Sequence, residues 1–121
     1  MPDPVSHDPQ SLFTPVDVPQ GAGLVTIFTS PTGAGTRGTR LSGIHVCNHT
    51  GLAVTFRLTH TQSGGVAAAN KALVWDISIL ADGTEHVFAV GIILDPGDFL
   101  SHEAGTAAAL SIHGFGWNMS D

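Results

Sequence analysis

From residue 23 onward the chain breaks every few residues into short runs rich in Val, Ile, Thr and Phe, separated by clusters of turn residues. No other feature limits its fold so strongly. Such runs suit the pleated, half-buried surface of a sheet, and their spacing marks a sandwich or barrel. Residues 24–29 and 39–48 read as the first two strands, and the three glycines of the loop between them (residues 31–38) allow backbone conformations that other residues resist. Asn48-His49-Thr50-Gly51 is a polar turn into residues 53–61, where Val54, Phe56 and Leu58 alternate with Thr55, Arg57 and Thr59. Residues 62–71 form a longer loop in which the Ala-Ala-Ala-Asn stretch suits one helical turn.

The Asp82-Gly83 pair predicts a hairpin between residues 72–80 and 84–94, with Trp75, Ile77 and Ile79 on one face of its first strand. Asp95-Pro96-Gly97-Asp98 makes the next turn, and residues 99–103 and 107–117 finish the sheet. The expectation is an all-β domain, an antiparallel β-sandwich of about 7–8 strands with jelly-roll-like or immunoglobulin-like connections.

Two regions are expected: a Pro-rich extended arm over residues 1–22 and the sandwich domain over residues 23–121. The arm holds five of the seven prolines, which remove backbone donors and exclude a helix or a central strand. Within it Leu12, Phe13, Val16 and Val18 are apolar enough to pack on this chain's own sheet or on a neighbouring subunit. The start has neither the basic nor the apolar region of an export signal, and no apolar stretch is long enough to span a bilayer, so no membrane partner is expected.

Charged residues make up 12% of the chain, about half the usual share, which leaves a surface of Thr, Ser, Asn, Gly and Ala suited to contact with protein. Four basic residues against ten acidic ones provide no positive stripe for phosphates, and nucleic acid is not an expected partner. Cys47 cannot form an internal disulfide and sits in an apolar run, where a buried thiol acts as a small hydrophobe.

Seven histidines raise the question of a metal. An extended strand would bring His45, Cys47 and His49 to one face, but the turn after Asn48 is expected to rotate His49 away. Asp95, Asp98 and Glu103 fall near one turn, where acidic residues commonly bond to backbone N–H groups rather than to calcium. There is no His-x-His of the cupin kind, no Gly-x-Ser-x-Gly elbow, and the Gly-rich loop leads into a strand rather than a phosphate-binding helix. The expectation is therefore no catalytic residue, no metal and no cofactor. Phe115 and Trp117 alternate with small residues near the C-terminus, so both rings reach one side of the last strand, as core or as interface anchors.

The run from Ile44 to Gly65, the Ala/Asn loop, the segment from Ala72 to Leu100 and the glycine-aromatic close together resemble small β-sandwich structural proteins encoded among the virion genes of tailed bacteriophages. The matching features are Asn48 with Gly51, Ser63-Gly64-Gly65, and Gly91 through Asp98, within a resemblance covering residues 24–117. It implies a non-enzymatic protein located in the virion and assembled in the bacterial cytoplasm, as a capsid decoration, a head fibre or spike, or a tail or baseplate component. It also implies a homo-oligomer, a trimer in the first instance, attached to capsid or tail protein through the arm or a sheet edge. The alternative is a carbohydrate- or host-receptor-binding sandwich with Trp75 or Trp117 as a stacking platform, which requires an exposed tryptophan.

Overall fold

The computed structural model describes residues 10–17, 23–87, 92–106 and 109–120. Nine strands lie among them: β1 (Gln10–Asp17), β2 (Val25–Thr29), β3 (Thr36–Asn48), β4 (Val54–Thr61), β5 (Ala72–Ile79), β6 (Thr84–Val87), β7 (Ile92–Leu94), β8 (Phe99–Ala104) and β9 (Leu110–Ser120). One 3-10 turn, Ala69–Lys71, falls inside the loop where a helical turn was expected. The run at 84–94 yields two strands on the same edge of β3, and residues 10–17 of the expected arm add the edge strand β1, so the count exceeds the seven or eight expected.

Every pairing is antiparallel, and the strands form two sheets. The first runs β1-β9-β3-β6, with β7 beside β6 on β3, and the second runs β2-β8-β4-β5. The pairings nest: β1 with β9, β2 with β8, β3 with β6 and β7, and β4 with β5. The chain is thus a long two-stranded ribbon, folded over so that β3 also meets β9 and β4 also meets β8. β1 is an edge strand, and its register on β9 shifts between Phe13 and Val16, around Pro15, a residue with no N–H for a ladder.

Two sequence expectations are overturned. Residues 81–83 do not close a hairpin, because β5 bonds to β4 while β6 bonds to β3 in the opposite sheet. The turn is instead a corner in which Asp82 adopts φ 52°. Its N–H donates to Thr50 O at 3.0 Å, and Gly83 O accepts from Asn48 N–H at 2.8 Å. Nor do Trp75 and Ile77 share a face. Phe56 pairs with Ile77 and Leu58 with Val74, so Trp75 and Asp76 together oppose the single residue Arg57. This β-bulge, with Asp76 at φ 55°, keeps Val74 and Ile77 against the core and turns Trp75 outward.

The inner faces meet in a core led by Phe56, Leu41, Ile44, Leu58, Ile79, Leu94, Leu100, Leu110 and Ile112. The alternation along β3 buries Ile44, Val46 and Asn48 and leaves His45 and Cys47 half-buried on the outer side. Cys47 is therefore not the core residue its apolar neighbours suggested. Loops 49–53 and 80–83 gather with Gly105 and Ala109 at one end of the sandwich, joined by bonds such as His49 N–H to Ala109 O at 3.2 Å. Loops 30–35, 62–71 and 95–98 gather at the other, where Ser30 N–H donates to Asp98 O at 2.8 Å.

Candidate interaction surfaces

Of the interface candidates singled out in the sequence, those among the described residues fall on the first sheet, with differing fates. Leu12 is half-buried and packs on the chain's own core. Phe13 and Val16 belong to β1, whose backbone pairs with β9, but their side chains lie outside the described set, as does Val18 altogether. Phe115 and Trp117 are half-buried on the outer side of β9, because Ile112, Gly114 and Gly116 take the inner positions. Phe115 lies over Gly43, where a Cβ would meet its ring at 2.8 Å, and the Arg40 guanidinium stands 5.4 Å from the Trp117 ring centre. Directly opposed His45 and His113 continue this strip.

His49 lies beyond the end of β3 and is exposed, so it leaves the face that holds His45 and Cys47. Among the described residues no group of three or more His, Cys, Asp or Glu is placed to hold a metal ion. Glu103 does not join Asp95 and Asp98 near their turn, as the sequence suggested. It sits across from Arg57 on the outer face of the second sheet, since β8 runs away from the turn after Asp98.

At one end a buried asparagine organises an exposed apolar tip. Asn48 donates from Nδ2 to Leu52 O at 2.8 Å and to Ile79 O at 3.0 Å, while its Oδ1 accepts from Thr50 N–H at 2.9 Å and Thr50 Oγ1 at 2.7 Å. One side chain thereby ties the 49–53 loop to the end of β5. That loop carries Leu52, and the residue after β5 is Leu80; they are 78% and 71% exposed. The Asn-x-Thr-Gly pattern signalled a turn; the leucines beside it gave no separate signal.

At the opposite end the buried carboxylate of Asp98 accepts from Ser63 N–H and Asp95 N–H, each at 3.1 Å, and lies 3.0 Å from His60 Nε2. Burial pushes this carboxyl up, but the His60 bond and the two backbone donors outweigh it and hold the group below the ordinary carboxylate value. Nearby, Ser30 Oγ and Thr39 Oγ1 are 2.8 Å apart, and Thr39 Oγ1 donates to Asn118 Oδ1 at 2.6 Å. A shallow groove of about 450 Å³ opens beside His60, lined also by Gln62, Asn70 and Lys71. These bonds tie the loops of this end to both sheets.

The outer face of the second sheet carries a charged network at its centre. Arg57 grips the Asp76 carboxylate with two nitrogens, Nη2 at 3.1 Å, and reaches Glu103 Oε1 from Nη1 at 3.0 Å. Its hydrogen bond is the main reason that the Asp76 carboxyl is lowered. The guanidinium also lies 4.1 Å from the centre of the Trp75 ring, which remains 37% exposed. Comparison of the chain with protein-family models, curated proteins and solved structures finds no match.

Proposed function

We propose that this chain is a non-enzymatic structural protein of a tailed-phage virion, folded as a jelly roll, that assembles with copies of itself and seats on capsid or tail protein. The nested pairing carries this reading. Counting β6 and β7 as one interrupted strand, eight strands pair first with last, second with second-last, and so on inward. This is a ribbon wound into two interleaved Greek keys, the architecture of many viral capsid domains. The low charge and the resemblance of residues 24–117 agree with that use.

The surface that best suits self-assembly is the tip with Leu52 and Leu80. Its backbone is already fixed by Asn48, so association would cost little ordering of the loops. Two mostly exposed leucines on a rigid end are suited to meeting the same pair from another copy around a symmetry axis.

Two measurements test the proposal. Quantitative mass spectrometry of purified virions should find the chain in fixed ratio to the major capsid protein; its absence would overturn the virion assignment. Light scattering coupled to size exclusion should give an oligomer for the unmodified chain and a monomer for the folded Leu52→Ser, Leu80→Ser double variant. An unchanged oligomer would exclude the tip as the contact.

A further inference from the structure

The bulge in β5 does something that the strand's sequence does not require. With strict alternation, Trp75 would follow Ile77 and Ile79 toward the core, where the largest side chain of the strand would bury most apolar area. Instead two residues oppose Arg57, Asp76 takes up a left-handed conformation at φ 55°, and the indole is left 37% exposed. A non-glycine residue in that region is held against its ordinary backbone preference, and such positions gather at binding and catalytic sites. Here it sets an aromatic ring beside a fixed array of hydrogen-bonding groups.

The chemistry of the array points to its ligand. Arg57 offers five N–H donors, and its bonds to Asp76 and Glu103 leave some of them unspent. Asp76 and Glu103 supply acceptor oxygens, and the exposed hydroxyls of Thr55 and Ser78, directly opposed on β4 and β5, lie further along the same face. One guanidinium set against two carboxylates leaves a small negative excess, which disfavours an anionic partner. The ring lies against a charged guanidinium, whereas a protein contact of comparable strength needs an aromatic anchor within a desolvated apolar patch. A sugar ring has what this surface complements: a face of C–H groups for the indole, whose ring already carries the Arg57 guanidinium over one face at 4.1 Å, and a rim of hydroxyls for the carboxylates and guanidinium.

We propose that the outer face of the second sheet binds a neutral saccharide, with Trp75 as the platform and Arg57, Asp76 and Glu103 as hydroxyl partners. This site is independent of the Leu52 and Leu80 tip, and either can fail without the other. The test uses the full chain with Trp117→Phe, so that Trp75 is the sole indole, titrated with cellobiose, maltose and N,N′-diacetylchitobiose. Electrophoresis through gels containing soluble β-glucan, starch or glycol chitin provides a second readout.

The expected result is a saturable change in Trp75 emission with at least one disaccharide and retardation in the corresponding gel. Trp75→Ala should weaken that retardation about tenfold or more, a loss of roughly 1.4 kcal/mol, while circular dichroism stays unchanged. No saturable change and no retardation with any of these sugars overturns the proposal, as does retardation that survives Trp75→Ala. If Trp75→Ala instead alters only the oligomeric state, this face is a protein contact and the saccharide assignment falls.

Discussion

His102 occupies the inner face of β8, 3% exposed, and its Nδ1 makes no hydrogen bond among the described residues. Burial alone pushes its imidazole down to about 4, so the folded chain keeps it neutral where the unfolded chain would protonate it. The unfolded state therefore binds the extra proton, and stability falls as pH drops from 6.5 toward 4, by about 3 kcal/mol in all. Below that window the lowered carboxyl of Asp98 adds a second loss, because its folded-state bonds persist only while it is ionised. Urea unfolding midpoints between pH 7 and 4 should show the first decline in the unmodified chain, and a His102→Leu variant should flatten it. At another buried polar position, Asn48→Ala should cost about 1–3 kcal/mol by orphaning Ile79 O and removing the acceptor of Thr50 N–H, read from the same unfolding curves. Asn48 was legible as a turn residue, but its inward orientation depends on the alternation along β3, and its partner Ile79 O lies in a strand distant in sequence.

At the scale of the element, turns that depend on local chemistry were readable and irregularities were not. Gly33, Gly35 and Gly38 all take positive φ, as the glycine spacing of their loop implied. The Asp95–Asp98 turn closes with Asp98 N–H on Asp95 O at 2.9 Å, Pro96 and Gly97 filling its centre, and Gly97 at φ 88°. A Cβ at Gly97 would also meet Ser63 Oγ at 2.6 Å. Gly97→Ala should thus lose about 1–2 kcal/mol through the backbone alone, with a further part recovered in a Ser63→Gly background; thermal unfolding of both variants measures the split. The β5 bulge escaped the sequence because counting by twos cannot reveal an inserted residue, which is decided by the partner strand. The Asp-Gly corner was misread for a related reason: the dipeptide favours a tight turn but does not say which sheet receives the next strand.

For the molecule as a whole, the strand-rich segments and the two-layer plan followed from composition and periodicity, whereas the distribution of strands between layers did not. Most connections cross from one sheet to the other, and those crossings are set by pairings between distant segments. The arm is a case in point. Residues 10–17 complete the edge of the first sheet, and Leu12 packs on the core. Removing residues 1–22 should leave a folded sandwich with about 2 kcal/mol less stability, from lost ladder bonds and lost apolar burial. Calorimetry of the truncated chain checks this, and an unchanged melting curve would mean that β1 contributes nothing to the sheet.

The nested ribbon also orders events during synthesis. Gln10 pairs with Gly116, so the partner of β1 leaves the ribosome long after β1 itself. Until β8 and β9 emerge, β2 and β1 have no strands to join, and only the inner pairing of β4 with β5 can close across a short loop. The sheets must then zip outward from that inner pair, a route rich in distant contacts and correspondingly slow. During translation the nascent chain holds its early apolar segments unpaired, and Pro15 within β1 removes one N–H that a strand of another copy could pair with.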